Sequence, residues 1–276
     1  MATNLNFALN HMSAPRLDCR SFIDLAASLG CIGIELRNDL ADKKLTERPF
    51  FDGEAPATIG AYARDKGLRL LGLSEAYGFN VWSDAMRVKV DLLIAQAKES
   101  GAESISLIPS NDGARMNDED RLGKLRGALR EILPMLEEAD MIALIEPLGF
   151  TTSSLRLKSE AVEAIEAVGG ATRYRLVHDT FHHHLAGSGP IFPNHTGIVH
   201  ISGVVDPSLA PEAMQDGHRI LVDENDRLRN IEQIRALSAA GYTGAFSYEP
   251  FSRAVHTHDD IAWALQESMS FIRSRL

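Results

Sequence analysis

The sequence predicts a closed (β/α)8 barrel in a single domain, residues 1–276, and three observations carry that expectation. Short runs rich in leucine or β-branched residues recur along the whole chain, each bounded by turn or cap residues. Segments with helical periodicity lie between them. The phrase helix, glycine, strand returns in SLGCIGIEL, ESGAESISL and AAGYTGAFSY, which is the βα repeat written in sequence. A length of 276 residues suits the roughly 250 that eight such units need.

The runs that read as strands are Asn6–Leu9, Gly33–Arg37, Arg69–Ser74, Ser104–Pro109, Ile142–Pro147, Tyr174–Asp179, Ile198–Gly203 and Gly244–Pro250. Several are apolar without alternation, Met141–Ile145 among them, as parallel strands buried on both faces should be. Between them, Phe22, Leu25, Ala26 and Leu29 share a helical face that stops at Gly30, and Val88, Leu92, Ala95 and Ala97 fall in a helix that stops at Gly101. Leu122, Leu125, Leu129, Leu133 and Leu136 form a third stripe, and Ile231, Ile234 and Leu237 a fourth that ends near Gly241. Ser83 and Asp118 or Asp259 are the expected N-caps. No Pro-, Gly- or Ser-rich linker divides the chain. The longest non-helical stretch runs from Val204 to about Asp226, after strand seven. In a compact domain such a connection is functional or mobile, and in a barrel it forms a wall or lid of the site.

Composition narrows the function. An apolar fraction of 45% and a charged fraction of 24% are those of a globular chain, which excludes disorder and coiled coil. With 28 Lys and Arg against 38 Asp and Glu, the net charge of −10 argues against a phosphate-neutralising surface, so no nucleic-acid partner is expected. No stretch approaches the ~20 apolar residues of a membrane span, and the opening MATNLNFALNHM lacks the basic and apolar regions of a secretory leader. Cys19 and Cys31 are too few for a disulfide framework or a four-Cys zinc site and suit a reducing compartment. The expected location is the cytoplasm, with no membrane partner and a homo-oligomer left open.

The chemistry lies at the strand ends, because barrel active sites are built there. Strand five ends IALIEP and offers Glu146; strand six ends RLVHD and offers Asp179. Strand seven, IVHIS, carries His200 in its middle, and strand eight, FSYEP, carries Glu249 near its end. A carboxylate buried at an apolar strand end is costly unless it is paired or bound to a cation. Any one of these side chains alone is as well explained as a structural ion-pair partner. Four consecutive strands aiming one potential ligand each at the same mouth favour a mostly oxygen site for one divalent metal ion, Mn, Mg, Co or Zn.

Six of the ten histidines lie between His178 and His200. Three consecutive ones, His182, His183 and His184, cannot share one face, so they are either a surface tract or contribute one or two side chains to the site. His182, just past the strand tip, is the best placed, and His178 should face the other side of its strand as a structural residue. Glu35 and Arg37 in GIELR are an internal pair or part of the pocket floor. Tyr77, Phe79 and Trp82 either wall a substrate pocket or simply pack. Arg219, in the long loop, is either a clamp on substrate oxygens or a solvated side chain.

The order Glu146 (IEPLG), Asp179 and His182 (DTFHHH), His200 (VHIS) and Glu249 (YEPF) resembles the xylose-isomerase-like TIM-barrel superfamily of sugar isomerases and epimerases. Within it the likeness is greatest to the 2-keto-myo-inositol (inosose) isomerases. It covers almost the whole chain, with FALNH in strand one, IELR in strand two and GLSEAYGFN after strand three. The string DTFHHH is its most specific piece. The resemblance implies that Glu146, Asp179, His200 and Glu249 bind one divalent metal and that His182 contacts substrate. The expected substrate contacts are completed by Arg219, His11 and Trp82, and the expected catalytic groups are Glu146, Glu249 and His182. The chain departs from the family pattern in the loop after strand seven, where His218-Arg219 and ILVDENDRL stand for the usual Asp-Arg and Pro-Gly-x-Gly turn. The arginine carries over; the aspartate and the loop conformation do not. His11 also replaces a different polar residue.

The activity implied is isomerisation or epimerisation of a small-molecule polyol ketone, with 2-keto-myo-inositol leading. The metal would act as Lewis acid while Glu146 and Glu249 remove and return a proton through an enediolate. The same site suits a sugar or inosose dehydratase, a hydroxypyruvate isomerase or a ketose 3-epimerase. A remote alternative is an apurinic-site endonuclease, which needs additional histidines on strands three and four; LGLSEA and SLIPS have none. A sugar-binding protein without turnover is disfavoured by the complete Glu/Asp/His/Glu set.

Overall fold

The computed structural model describes residues 5–114 and 116–276; residues 1–4, the start of the segment read for a leader, lie outside them. Eight parallel strands close into a barrel in sequence order, with the last paired back onto the first. They are β1 (Phe7–Asn10), β2 (Gly33–Arg37), β3 (Arg69–Tyr77), β4 (Ser104–Ile108), β5 (Ile142–Ile145), β6 (Tyr174–Asp179), β7 (Thr196–Ile201) and β8 (Phe246–Tyr248). The helices that cover them are α1 (Cys19–Ser28), α2 (Pro56–Asp65), α3 (Asp84–Ser100), α4 (Asp118–Ala139), α5 (Lys158–Ala167), α6 (Thr180–Leu185), α7 (Asn230–Ala239), α8 (Arg253–His256) and α9 (Ile261–Ser274). All eight expected strands are present, but their ends differ from the sequence reading in ways that matter. β5 and β8 stop at Ile145 and Tyr248, so Glu146 and Glu249 stand just past the strand tips. β3 runs on to Tyr77 and carries Glu75 into the wall. His200 lies near the end of β7, level with Asp179 on β6, rather than mid-strand.

Strand period sorts the two faces of the wall. Ala8, Leu71, Leu144, Val177, Ile198 and Ala245 point inward and form the barrel's own small core. Leu9, Ile34, Leu36, Leu107, Ile145, Leu176, Val199 and Ile201 point outward into the main core under the helices. Burial on both faces is why these strands read as continuous apolar runs. The helices fit closely: a Cβ at Gly60 in α2 would fall 1.8 Å from the Ser100 carbonyl oxygen at the end of α3, so only glycine allows that approach.

The helix read around Val88, Leu92, Ala95 and Ala97 is present and stops at Gly101; Val88 and Leu92 are exposed on it, at 65% and 57%, and its buried face is Met86, Val90, Leu93, Ile94 and Ala97. Both stripes have helical spacing, and the one that removes more apolar surface from water faces the core. Ser83 caps α3 as expected, but α4 and α9 are capped by Asn117 and Asp260, each one residue from the aspartate read as the cap. Where polar residues cluster, as in MNDED and HTHDD, the cap is whichever oxygen reaches the third amide of the turn.

The connection after β7 is a pinned wall. Gly203 and Ile220 exchange two backbone hydrogen bonds, at 2.7 and 2.8 Å, and Val204, Met214 and Leu228 pack on Phe181. Among the described residues no helix is long and apolar enough to cross a membrane.

Candidate metal centre

Above the apolar floor the same strand phase puts polar side chains into the mouth. Asp179 follows Val177, His200 follows Ile198, and Ser247 follows Ala245, each two residues on and so on the same face. Glu146 and Glu249 continue that phase beyond the ends of their strands. One ligating atom from each of Glu146, Asp179, His200 and Glu249 lies within 4.8 Å of all the others, and all four residues are buried. The four sequence-predicted ligands therefore meet.

The imidazole of His200 is aimed by a residue on the opposite wall. Its Nε2 lies 3.1 Å from Glu35 Oε2, while Glu35 Oε1 accepts from Ser247 Oγ at 2.5 Å. Glu35 thus holds the Nε2 proton and leaves Nδ1 facing the cluster, the usual way a carboxylate orients a metal-binding histidine. Nδ1 is 3.2 Å from Glu249 Oε2 and 3.8 Å from Glu146 Oε1, yet has hydrogen-bonding geometry with neither. A buried ring nitrogen without a partner, surrounded by three carboxylates, fits a divalent ion. Burial alone would lower the His200 pKa; Glu249 and Glu35 outweigh it and hold the ring's proton well above the usual range.

Asp179 does two jobs. Its Oδ1 accepts from the amide of His182 at 2.9 Å as the N-cap of α6, and its Oδ2 accepts from Arg219 Nη2 at 2.6 Å. The spacing in Asp-Thr-Phe-His is therefore that of a cap and the third residue of its helix. The same turn that fixes the carboxylate brings His182 to the cluster, with its Nε2 3.9 Å from Glu146 Oε1 and its Nδ1 without a partner. Phe150 and Phe181 pack edge-on against its ring.

Two guanidinium groups border the carboxylates. Arg219 is 1% exposed, which removes the solvated reading of this residue. It binds Asp179, Glu249 Oε2 at 3.0 Å and Ser202 Oγ at 3.0 Å, and its plane lies over Phe251 and Phe181. Arg37 forks onto Asp39 and also reaches Glu249 Oε1 at 2.6 Å and Glu75 Oε2 at 3.2 Å. Arg37 and Glu35 thus face the same mouth but do not pair with each other. Burial pushes the Glu146 carboxyl up, and the charge of Glu249 adds to it. Burial would also raise Glu249, but His200, Arg219 and Arg37 hold it below the usual carboxylate range. Burial pushes the Glu75 carboxyl up to about 7, against the pull of Arg37.

The remaining candidates lie apart from the four ligands. His11 follows β1, stacks on Phe22 at 4.3 Å and places Nε2 3.1 Å from the Leu17 carbonyl oxygen; it borders a neighbouring recess with Arg37. Burial lowers its pKa to about 4, so the ring is neutral. Trp82 is half-buried against the core beneath Arg87. Tyr77 is exposed and Phe79 is core. His178 faces outward, between Lys158 and Gln233, and the ring of His183 lies against it at 4.7 Å, tilted by 44°. Sequence reasoning missed Glu75, Asp39 and Lys158. Glu75 sits in GLSEAYGFN, where a strand read as ending at Ser74 hid it; for Asp39 and Lys158 no sequence signal exists.

A family profile described as a xylose isomerase-like TIM barrel matches residues 23–275. The fold is similar to that of a xylose isomerase domain containing protein from Salmonella typhimurium LT2, with 28% identity, TM-score 0.88, and 99% and 98% of the two chains covered. It is similar also to an IolI protein whose structure binds a zinc atom, with 16% identity, TM-score 0.86, and 98% and 99% covered. D-psicose 3-epimerase from Clostridium cellulolyticum H10, solved with D-tagatose, matches at 16% identity, TM-score 0.72, and 99% of each chain. No curated protein matches the chain in sequence.

Proposed function

The chain belongs to the xylose isomerase-like TIM barrel family, and from that premise we propose that it is a metal-dependent isomerase or epimerase of a polyhydroxy ketone, 2-keto-myo-inositol foremost. The observation that carries the reading is the convergence of Glu146, Asp179, His200 and Glu249, with His200 Nδ1 left unpartnered among the carboxylates. A divalent ion held there would supply Lewis-acid polarisation of the substrate carbonyl, which makes the adjacent carbon acidic.

The protein's own groups do the rest. Glu146 and Glu249 reach the mouth from β5 and β8, with β6 and β7 between them. Two carboxylates so placed can take a proton from one carbon and return it to the next, or to the other face of the same carbon. His182 and Arg219 offer donors to oxygens on which negative charge gathers. Glu35 and Asp39 stand outside the four-residue set; they fix the ring of His200 and the fork of Arg37. The shift is redox-neutral, so no nicotinamide is required, and the acidic chain gives no footing to a nucleic-acid substrate.

The test is incubation in D₂O with Mn, Mg, Co or Zn and 2-keto-myo-inositol, hydroxypyruvate or a ketohexose, followed by NMR. Deuterium at the carbon next to the carbonyl is the expected result. A product lacking one water would assign the protein to the dehydratases, and no change in any ketone would overturn the reading.

A further inference from the structure

At the C-terminal end of β6, where α5 begins and α6 passes, lies a cavity of about 150 Å³ whose lysine and second histidine the reaction above does not use. Arg156, Lys158, Ser159 and His183 line it, and it backs onto the metal centre through Asp179 and His182. A cavity of about this volume in other proteins admits a guest the size of benzene.

Its walls carry donors without acceptors. Lys158 Nζ sits 2.7 Å from His178 Nδ1, and His178 Nε2 sits 2.9 Å from Gln233 Oε1. Gln233 is itself fixed, because its Nε2 donates to the carbonyl oxygens of Thr180 and Leu228. Since Gln233 Oε1 can only accept, His178 donates from Nε2 and accepts from the ammonium at Nδ1. The ammonium has further N–H groups, and among the described residues it forms no ion pair. His183 is 7% exposed, lines the cavity, and its ring has no hydrogen-bond partner among the described residues. Arg156 donates from Nε to the Gly149 carbonyl oxygen and from Nη2 to that of Leu185, which leaves Nη1. The first turn of α5 opens here too; Leu157 has no side-chain oxygen to cap it, and its own amide donates to Glu160 Oε2 at 3.3 Å. The one carboxylate in the lining, Asp179, already uses both oxygens, one on the His182 amide and one on Arg219.

We propose that this cavity is an oxyanion site, taking a phosphate or carboxylate group on Lys158 and His183, with Ser159 and the first turn of α5 as further donors. Donors buried in a recess whose one carboxylate is already committed to Arg219 and the His182 amide call for an acceptor from outside the chain. Burial draws Lys158 down to about 7 against the pull of Asp179, and draws His183 to about 4 with the Lys158 charge adding to it, so an entering anion would favour the protonated lysine. The bound group is either a free ion or the anionic end of a substrate reaching the adjacent metal centre. The site stands whether or not the isomerase reading does, because its test reads binding.

Inorganic phosphate is titrated into the full-length protein and followed by calorimetry and ³¹P line width. One saturable site is expected, weakened about tenfold or more by Lys158→Met and largely restored by Lys158→Arg, the size of a lost charged hydrogen bond. His183→Ala should weaken it in the same direction, which keeps the test valid if the lysine variant unfolds. Acetate in place of phosphate separates a planar from a tetrahedral preference. Phosphate that competes with the ketone marks the group as the substrate's own, and phosphate that does not marks it as a free ion. No saturable binding, or binding that Lys158→Met leaves unchanged, overturns the proposal.

Discussion

Glu35 Oε2 lies 3.1 Å from His200 Nε2 across the barrel, and both side chains are buried. This contact decides which nitrogen of the imidazole faces the carboxylates, so a residue from β2 orients a candidate ligand on β7. Glu35→Ala should lower the affinity for a divalent ion by about 10–100-fold, the usual loss when the partner of a metal-binding histidine is removed. Metal titration of the two proteins measures it, and equal affinities would refute the role given to Glu35.

Asp179→Ala should strip most of the bound metal while the barrel stays folded, because Arg219 retains Glu249 and Ser202 as partners. The same substitution removes the cap of α6, at a cost of about 1 kcal/mol. Metal content by atomic emission and unfolding in urea read the two effects separately. Full metal content in the variant would remove Asp179 from the ligand set.

The histidine tract gives a sharper contrast. His182 stands beside Glu146, whereas His183 stands behind β6 against His178. With an uncharged polyol ketone, His182→Ala should lose about 10²–10⁴-fold in kcat/KM, as for a positioned proton-handling group. His183→Ala should lose far less. Equal and small losses in both would return the tract to a packing role.

Glu75 makes stability depend on pH. Burial raises its carboxyl from an ordinary 4.5 to about 7, with Asp39 and Glu146 adding to the rise and Arg37 and Lys43 opposing it. Between those values the folded protein holds more protons than the unfolded chain, so stability should fall as pH climbs from about 4.5 to about 7 and then level off. Glu75→Gln should abolish that decline. Urea midpoints at both ends of the window, compared between the two proteins, test it; parallel profiles would show that Glu75 titrates normally.

The barrel and the four side chains that converge at its mouth were legible because both follow from short-range rules. Period-two alternation puts Asp179 and His200 on the inner face once their strands are located, and the Asp-Thr-Phe-His spacing is a cap spacing that any helix start obeys. What sequence does not carry is who partners whom across the barrel. Glu35 and Arg37 sit two apart in one strand and look like a pair, yet each finds its partner on β7 or β8. The burial of Arg219 is equally long-range, since it depends on a loop folding back through Gly203 and Ile220. Lys158 gives no hint of its setting, because its partner, His178, comes from β6.

The pinning of the loop after β7 bears on how this scaffold can diverge. The Arg219 carbonyl oxygen also accepts the amides of Phe251 and Ser252, so the segment is tied down on both sides of that residue. Between the ties, residues 206–213 are exposed or half-exposed. Insertions and deletions there would reshape the rim of the mouth while leaving the arginine in register with Asp179 and Glu249. Substrate range and reaction geometry are thus separable by length changes in one short stretch of chain.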